Sequence, residues 1–155
     1  MVIINEWTRV YEKYNIILKH IEKHLGKTTT YSDKLHAVGK KLLGVKFKGV
    51  YPSDKIPKLN DLSPYCIVNV DNSKEAGSHW MSIVKSNSKS NCILYDSFGR
   101  RNTMIIPSLR FSGNGKIIDT DRDVEQKIKE ENCGSRACAW LVFYDKYGEK
   151  CAMKI

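Results

Sequence analysis

The hydrophobic positions of this chain change their period along its length, and the changes predict its elements. From 6 to 25, Trp7, Val10, Tyr11, Tyr14, Ile17, Leu18, Ile21 and Leu25 recur at helical spacing, and Gly26 follows as a stop. A second helix is predicted from Ser32 or Asp33, acting as cap, to Leu43, with Gly44 ending it. Residues 45–64, VKFKGVYPSDKIPKLNDLSP, read as a loop broken by three prolines. YCIVNV (65–70), HWMSIVKS (79–86) and NCILYDSF (91–98) are short apolar runs with β-branched and aromatic members, the pattern of strands. The small polar stretch NSKSN joins the last two as a β-hairpin. RRNTMIIPSLRFSGNG (100–115) reads as irregular, and the acidic DRDVEQKIKEEN (121–132) as partly helical. CGSRACAWLVFYDKY (133–147) sets Ala137, Trp140, Leu141 and Tyr144 on one helical stripe, and its first residue is Cys133.

The hairpin puts His79 at the opening of one strand and Asp96 at the close of the next, where cross-strand side chains meet. A cysteine that opens a helix lies among unpaired N–H groups whose partial positive charge favours thiolate over thiol. Cys133 and His79 would then form a nucleophile–base pair, with Asp96 holding the imidazole in the correct tautomer. Acyl transfer also needs donors aimed at the developing oxyanion. The backbone N–H of Cys133 is one, and a side-chain amide can supply another. Gln126, the single glutamine in the chain, stands seven residues before Cys133. Taken singly these residues carry little, because cysteine is often a small buried hydrophobe and His–Asp pairs also occur as structural contacts. The ordered set of His-Trp, Asp, Gln and Asn-Cys-Gly before an apolar helix carries much more.

At 155 residues the chain has the length of one domain with a sizeable core. It has no apolar run approaching the roughly 20 residues that span a bilayer. Its N-terminus, MVIINEWTRVYEK, lacks the basic start and apolar centre of a secretory signal. The expectation is a protein used inside a cell or packaged from there, neither secreted nor bound to a membrane. Cys66, Cys92, Cys133, Cys138 and Cys151 are odd in number and form no C-x-x-C pair, so they are expected as thiols. His20 and His24 lie four apart on the first helix, but without a third ligand at zinc spacing they are expected to be solvated, and no metal is expected.

The formal net charge of +9 is enough to attract polyanions without identifying one. Residues 31–64 hold seven Lys/Arg against three acids, and 85–116 hold six against one, whereas 117–132 reverse the sign. Two basic segments flanking the hairpin suggest a positive face, with Lys40, Lys41, Lys46 and Lys48 as candidate contacts to DNA.

The ordered set resembles the adenain family, the adenovirus maturation proteases, within a clan that includes ubiquitin-like-protein proteases. AGSHWMSIV is similar to the family's glycine-His-Trp-Met segment, and CILYDSFGR to its strand with an acidic residue and a Phe-Gly turn. VNV before the histidine, the lysine-rich helix before GVYPSDKIP, and the interval from Gln126 to Cys133 also match in order and spacing. The likeness runs over about residues 31–147, and such shortened proteases belong with virophages and related large DNA transposons. It implies an α+β cysteine protease, with a central mixed sheet packed between helices, as one domain over 1–155. It also implies Cys133 as nucleophile, His79 as base, Asp96 as orienting acid and Gln126 as oxyanion donor. The expected work is cleavage of viral capsid or scaffold precursors, as a monomer in the virion and infected cell, with DNA as a candidate activator.

Trp80 would lie beside the histidine or serve as a core aromatic, and Gly77 would keep the substrate groove shallow or form a turn. Two departures stand out. Residues 97–125 contain no cysteine to tether an activating peptide, and residues 1–28 fall outside the likeness, either as an extra packing element or as a recruitment arm. One rival reading keeps the chemistry but removes ubiquitin or a ubiquitin-like modifier; another is a basic nucleic-acid-binding module without catalysis. If Gln126 donates to the oxyanion, Gln126→Ala lowers kcat by roughly 10²-fold to 10³-fold. A fully active Gln126→Ala variant, measured by peptide hydrolysis, removes that residue from the site.

Overall fold

A computed structural model describes residues 6–27, 31–70, 79–86, 91–100, 113–120 and 131–155. Helix α1 spans Glu6–Leu25 as predicted; α2 spans Ser32–Leu43, but its N-cap is Tyr31 without a side-chain cap bond, so neither Ser32 nor Asp33 caps it. A 3₁₀ turn at Gly44–Lys46 leads into strand β1, Phe47–Tyr51. Strands β2 (Tyr65–Asn69), β3 (Trp80–Lys85) and β4 (Asn91–Tyr95) follow where the apolar runs place them. Strand β5 is Lys116–Asp119, helix α3 is Cys133–Tyr147, and a single turn, α4, is Glu149–Ala152.

These strands make one mixed sheet in the order β1-β2-β3-β4-β5. The central pairs, β2 with β3 and β3 with β4, are antiparallel, while β1 joins β2 and β5 joins β4 in parallel. The stretch 45–64 is therefore not wholly a loop, because it contains β1. Two things hide that strand from a local reading. Its register shifts between Phe47 and Gly49, which breaks the period-two pattern. Its partner is also a parallel strand, and parallel pairing always joins segments distant in sequence.

Strand β2 is buried throughout, and β3 and β4 nearly so, which is why they read as continuous apolar runs. On one face Tyr65, Ile67, Trp80, Val84, Ile93 and Tyr95 join residues of all four helices in the main core. On the other face Cys66, Val68, Met81, Ile83, Cys92 and Leu94 pack with Leu59. Among the described residues, then, the helices gather on one face instead of flanking the sheet. The segment carrying Leu59 covers part of the opposite face, held by Asn114, whose Oδ1 accepts the Leu59 N–H at 2.7 Å and whose Nδ2 donates to the Pro57 carbonyl at 3.0 Å. No described helix is long and apolar enough to cross a membrane.

Helix α3 is more deeply buried than its predicted stripe. Every residue from Cys133 to Leu141 is buried, because the sheet takes one side and α1 another. Tyr95 stacks on Trp140 with ring centres 5.3 Å apart, and Tyr14 of α1 meets Phe143 edge-on at 6.3 Å. The Trp140 indole N–H donates to the Ala152 carbonyl at 3.0 Å, folding α4 back against α3. The helix is pinned along its axis by the buried Ser82 hydroxyl, which donates to the Ala137 carbonyl at 2.6 Å. Ser82 lies three residues after His79, and Ala137 four after Cys133, so this bond sets the height of one against the other.

Ser82→Ala should lower stability by about 1 kcal/mol, the net worth of one such hydrogen bond. Chemical denaturation reads that value, and an unchanged midpoint would remove the bond from the forces that seat α3.

Candidate active site

His79 directly precedes β3, and its carbonyl accepts the Val70 N–H at 3.1 Å, which holds the backbone there as an extension of the sheet. Asp96 directly follows β4. Ser82 pairs with Tyr95 in the antiparallel register, and continuing that register sets His79 opposite Phe98, with Asp96 two residues along. Hence the two side chains meet: His79 Nε2 lies 2.5 Å from Asp96 Oδ1. The imidazole also hydrogen-bonds the Cys133 thiol, for which Nδ1 is the nitrogen left over. The backbone N–H groups of Trp80 and Gly134 donate to the same sulfur. Three residues predicted from separate segments thus form one chain of contacts, from sulfur to imidazole to carboxylate.

All three are buried, with 8% of Cys133, 5% of His79 and 4% of Asp96 exposed. Burial opposes every charge in the set, and the hydrogen bonds overcome it. For Cys133, burial pushes the thiol up, yet the His79 bond and the N–H groups of Trp80 and Gly134 bring it below its usual value. For His79, burial pushes the imidazole down, and the bonds to Asp96 and Cys133 raise it above the usual range. For Asp96, burial pushes upward, but His79 and Arg100 hold the carboxyl down at about 2. These opposite shifts bring the thiolate and imidazolium forms closer together in pH than in a free cysteine and histidine. They also fix the sign of the stability terms. The Asp96 contribution is present above its unfolded value and is lost as pH falls through about 2. The His79 contribution is complete below its unfolded value and fades as pH rises through its raised folded value.

The turn after β4 completes the carboxylate's coordination. Asp96 Oδ1 also accepts the Phe98 N–H at 3.2 Å, while Oδ2 accepts the Arg100 N–H at 3.1 Å and its side-chain Nε–H at 2.9 Å. Gly99 closes the turn, donating its N–H to the Asp96 carbonyl at 2.8 Å with φ of +68°, a conformation that suits glycine. The Phe-Gly turn belongs to the quoted motif, but the sequence assigns no role to Phe98 or Arg100. The spacing Asp-x-Phe-Gly-Arg, with the two charges four residues apart, was the signal available.

Gln126 and Gly77 lie outside the described residues. Trp80 belongs to the main core, and its backbone N–H reaches the sulfur. Of the four candidate lysines, Lys40, Lys41 and Lys46 are exposed and Lys48 is half-buried. Lys40 Nζ donates to the Phe47 carbonyl at 2.6 Å, and Lys46 pairs with Asp145 at 3.0 Å. Lys48 acts on Cys66, whose side chain belongs to the sheet face away from α2. His20 and His24 are exposed on α1, their ring centres 5.3 Å apart. No group of three or more potential metal ligands converges among the described residues.

Among known proteins, no family model matches the chain and no curated protein matches it. The likeness to the adenain family therefore rests on the residues and their order.

All five cysteines are free thiols, but their surroundings differ. Burial pushes Cys138 up to about 12 and Cys92 up to about 11, and Cys66 is raised further still. Iodoacetamide at about pH 6.5, roughly two units below an ordinary thiol's value, should therefore alkylate Cys133 ahead of Cys66, Cys92 and Cys138. Peptide mass mapping reads the order. Reaction of Cys92 or Cys138 first, or a Cys133 that needs alkaline pH, would contradict the electrostatics described above.

Proposed function

We propose that this protein is a thiol-dependent endopeptidase in which Cys133 is the nucleophile, His79 the general acid and base, and Asp96 the group that orients the imidazole. The observation that carries this reading is the contact chain itself. A thiol with a lowered pKa opens a buried helix against an imidazole whose far nitrogen is 2.5 Å from a carboxylate. A purely structural cysteine has no need of three donors converging on its sulfur.

In this mechanism the Cys133 thiolate attacks the scissile carbonyl carbon, forming the C–S bond while the carbonyl electrons move to oxygen. The Cys133 backbone N–H, one of the unpaired groups at the helix start, and the Gln126 amide take the resulting oxyanion. The His79 imidazolium gives its proton to the departing amine as the C–N bond breaks. Water then attacks the thioester, His79 takes the water's proton, and the thiolate leaves. Asp96 stabilises the imidazolium at each charged stage without being protonated itself. The resemblance to maturation proteases makes capsid or scaffold precursors the proposed substrates, with glycine or other small residues near the scissile bond.

Glycine-containing capsid-type peptides and ubiquitin-tail peptides, incubated side by side and read by mass, test the reaction and its substrate class together. Cleavage of the capsid type is expected; preference for the ubiquitin tail would turn the reading toward a modifier protease. Cys133→Ala should abolish turnover, and His79→Ala should lower kcat at least ~10³-fold. Asp96→Asn should keep more activity, because the Cys–His pair can form without it. Normal cleavage by Cys133→Ala would end the proposal.

A further inference from the structure

The imidazole of His79 has a second neighbour besides Asp96. The Phe98 ring stacks on it, with centroids 4.8 Å apart and planes inclined by 29°. On Phe98 in turn rests the Arg100 guanidinium, 5.2 Å from the ring centre. Arg100 then returns to Asp96 through its Nε at 2.9 Å, and Asp96 to His79 at 2.5 Å. The four side chains close a ring of contacts: imidazole, phenyl, guanidinium, carboxylate, imidazole. Three of its members come from the five-residue turn Asp96–Arg100, so one tight loop supplies the whole cap over the histidine.

The ring has more constraint than orienting an imidazole requires. One carboxylate oxygen already aligns Nε2, and the backbone N–H groups of Phe98 and Arg100 already hold the turn. The added guanidinium places a second cation on the carboxylate, on the oxygen that the imidazole does not use. We propose that Phe98 and Arg100 are positioning residues of this site: Phe98 fixes the plane of the imidazole and keeps water off its bond to Asp96, and Arg100 shares the charge of Asp96 so that the imidazolium can release its proton on each cycle. The inference rests on the catalytic reading of Cys133 and His79.

The sign of the Arg100 effect follows from charge. Among the described residues the groups acting on His79 are Asp96, from the turn after β4, and Cys133, from α3, while Arg100 acts on it through Asp96. Removing a positive charge raises the pKa of every group near it, most for the nearest. Arg100→Met keeps the backbone N–H to Oδ2 and a long apolar side chain over Phe98, so geometry is largely preserved while the charge is lost. His79 should then hold its proton to higher pH. The Arg100 side chain is 44% exposed, so solvent screening keeps that shift small. Phe98→Leu leaves the charges in place but opens the face of the imidazole.

Imidazole NMR titration tests this without a substrate. The chain has four histidines, and the His79 signal is identified by its loss in His79→Gln. Arg100→Met should move the His79 titration upward, and Arg100→Lys, which restores the charge, should bring it back. Phe98→Leu should leave that titration near the wild-type position while the Nε2 proton exchanges faster with water. A His79 titration identical in wild type and Arg100→Met, or equally displaced in Arg100→Lys, would overturn the role of Arg100. An unchanged Nε2 exchange rate in Phe98→Leu would overturn that of Phe98. If wild-type Cys133 reacts only as an ordinary thiol, the proposed function fails and takes this inference with it; failure of the titration test alone leaves the protease reading standing.

Discussion

Helix α3 has no solvent side for its first nine residues, and this burial governs the rest of the structure. A helix that starts inside a protein brings its unpaired N–H groups with it, and they have to be met by something. Here the first residue is a cysteine, and the Gly134 N–H turns to its sulfur. The same packing that buries Trp140 against Tyr95 and Ala137 against β3 carries Cys133 to the end of the sheet where His79 begins β3. Seating the helix and assembling the site are one event. A change in how α3 sits on β3 would be felt at the sulfur before it was felt elsewhere.

Burial at that depth is hostile to ions, and the site answers by alternating them. Along the contact chain run a thiol, an imidazole, a carboxylate and a guanidinium, so that any charge on one lies beside a group that can carry its opposite. Desolvation opposes the charge on Cys133, His79 and Asp96 alike, and in each case hydrogen bonds reverse its effect. Backbone groups take part as well as side chains, which makes the arrangement hard to disturb piecemeal. Because the Arg100 side chain reaches solvent while Cys133 is nearly enclosed, the chain also links the sulfur to the surface through fixed contacts.

The N-terminal helix contributes by covering α3. Tyr14 on α1 is wholly buried, and its hydroxyl meets that of Tyr95 at 3.0 Å, one residue before Asp96. At the other end of α1, the Gly26 carbonyl accepts the Ser135 hydroxyl at 3.0 Å, two residues after Cys133. Lys154 near the C-terminus pairs with Glu6 and lies over the Trp7 ring, so α1 is held along its length. Of the two roles that the sequence allowed for this helix, packing is the one with visible contacts.

Helices α1 and α3 were legible in the sequence to the residue, and α2 except for its cap, because each begins or ends at a residue with its own conformational preference and carries apolar side chains at helical spacing. The three central strands were legible for a related reason: burial on both faces leaves short, dense apolar runs. The candidate triad was legible too, since His79, Asp96 and Cys133 stand in a fixed order beside elements whose apolar runs could be read. Strand β1 was not, nor was the gathering of the described helices on one face. Parallel pairing and layer order join segments far apart in the chain, and no local period encodes them. The partners of Lys40 and Lys46 were equally hidden, because a count of charges does not say which carbonyl or carboxylate lies within reach. The cap of Phe98 and Arg100 lay between these cases: its residues stand in one short turn, yet their role appears only when the antiparallel register carries that turn over an imidazole on the neighbouring strand.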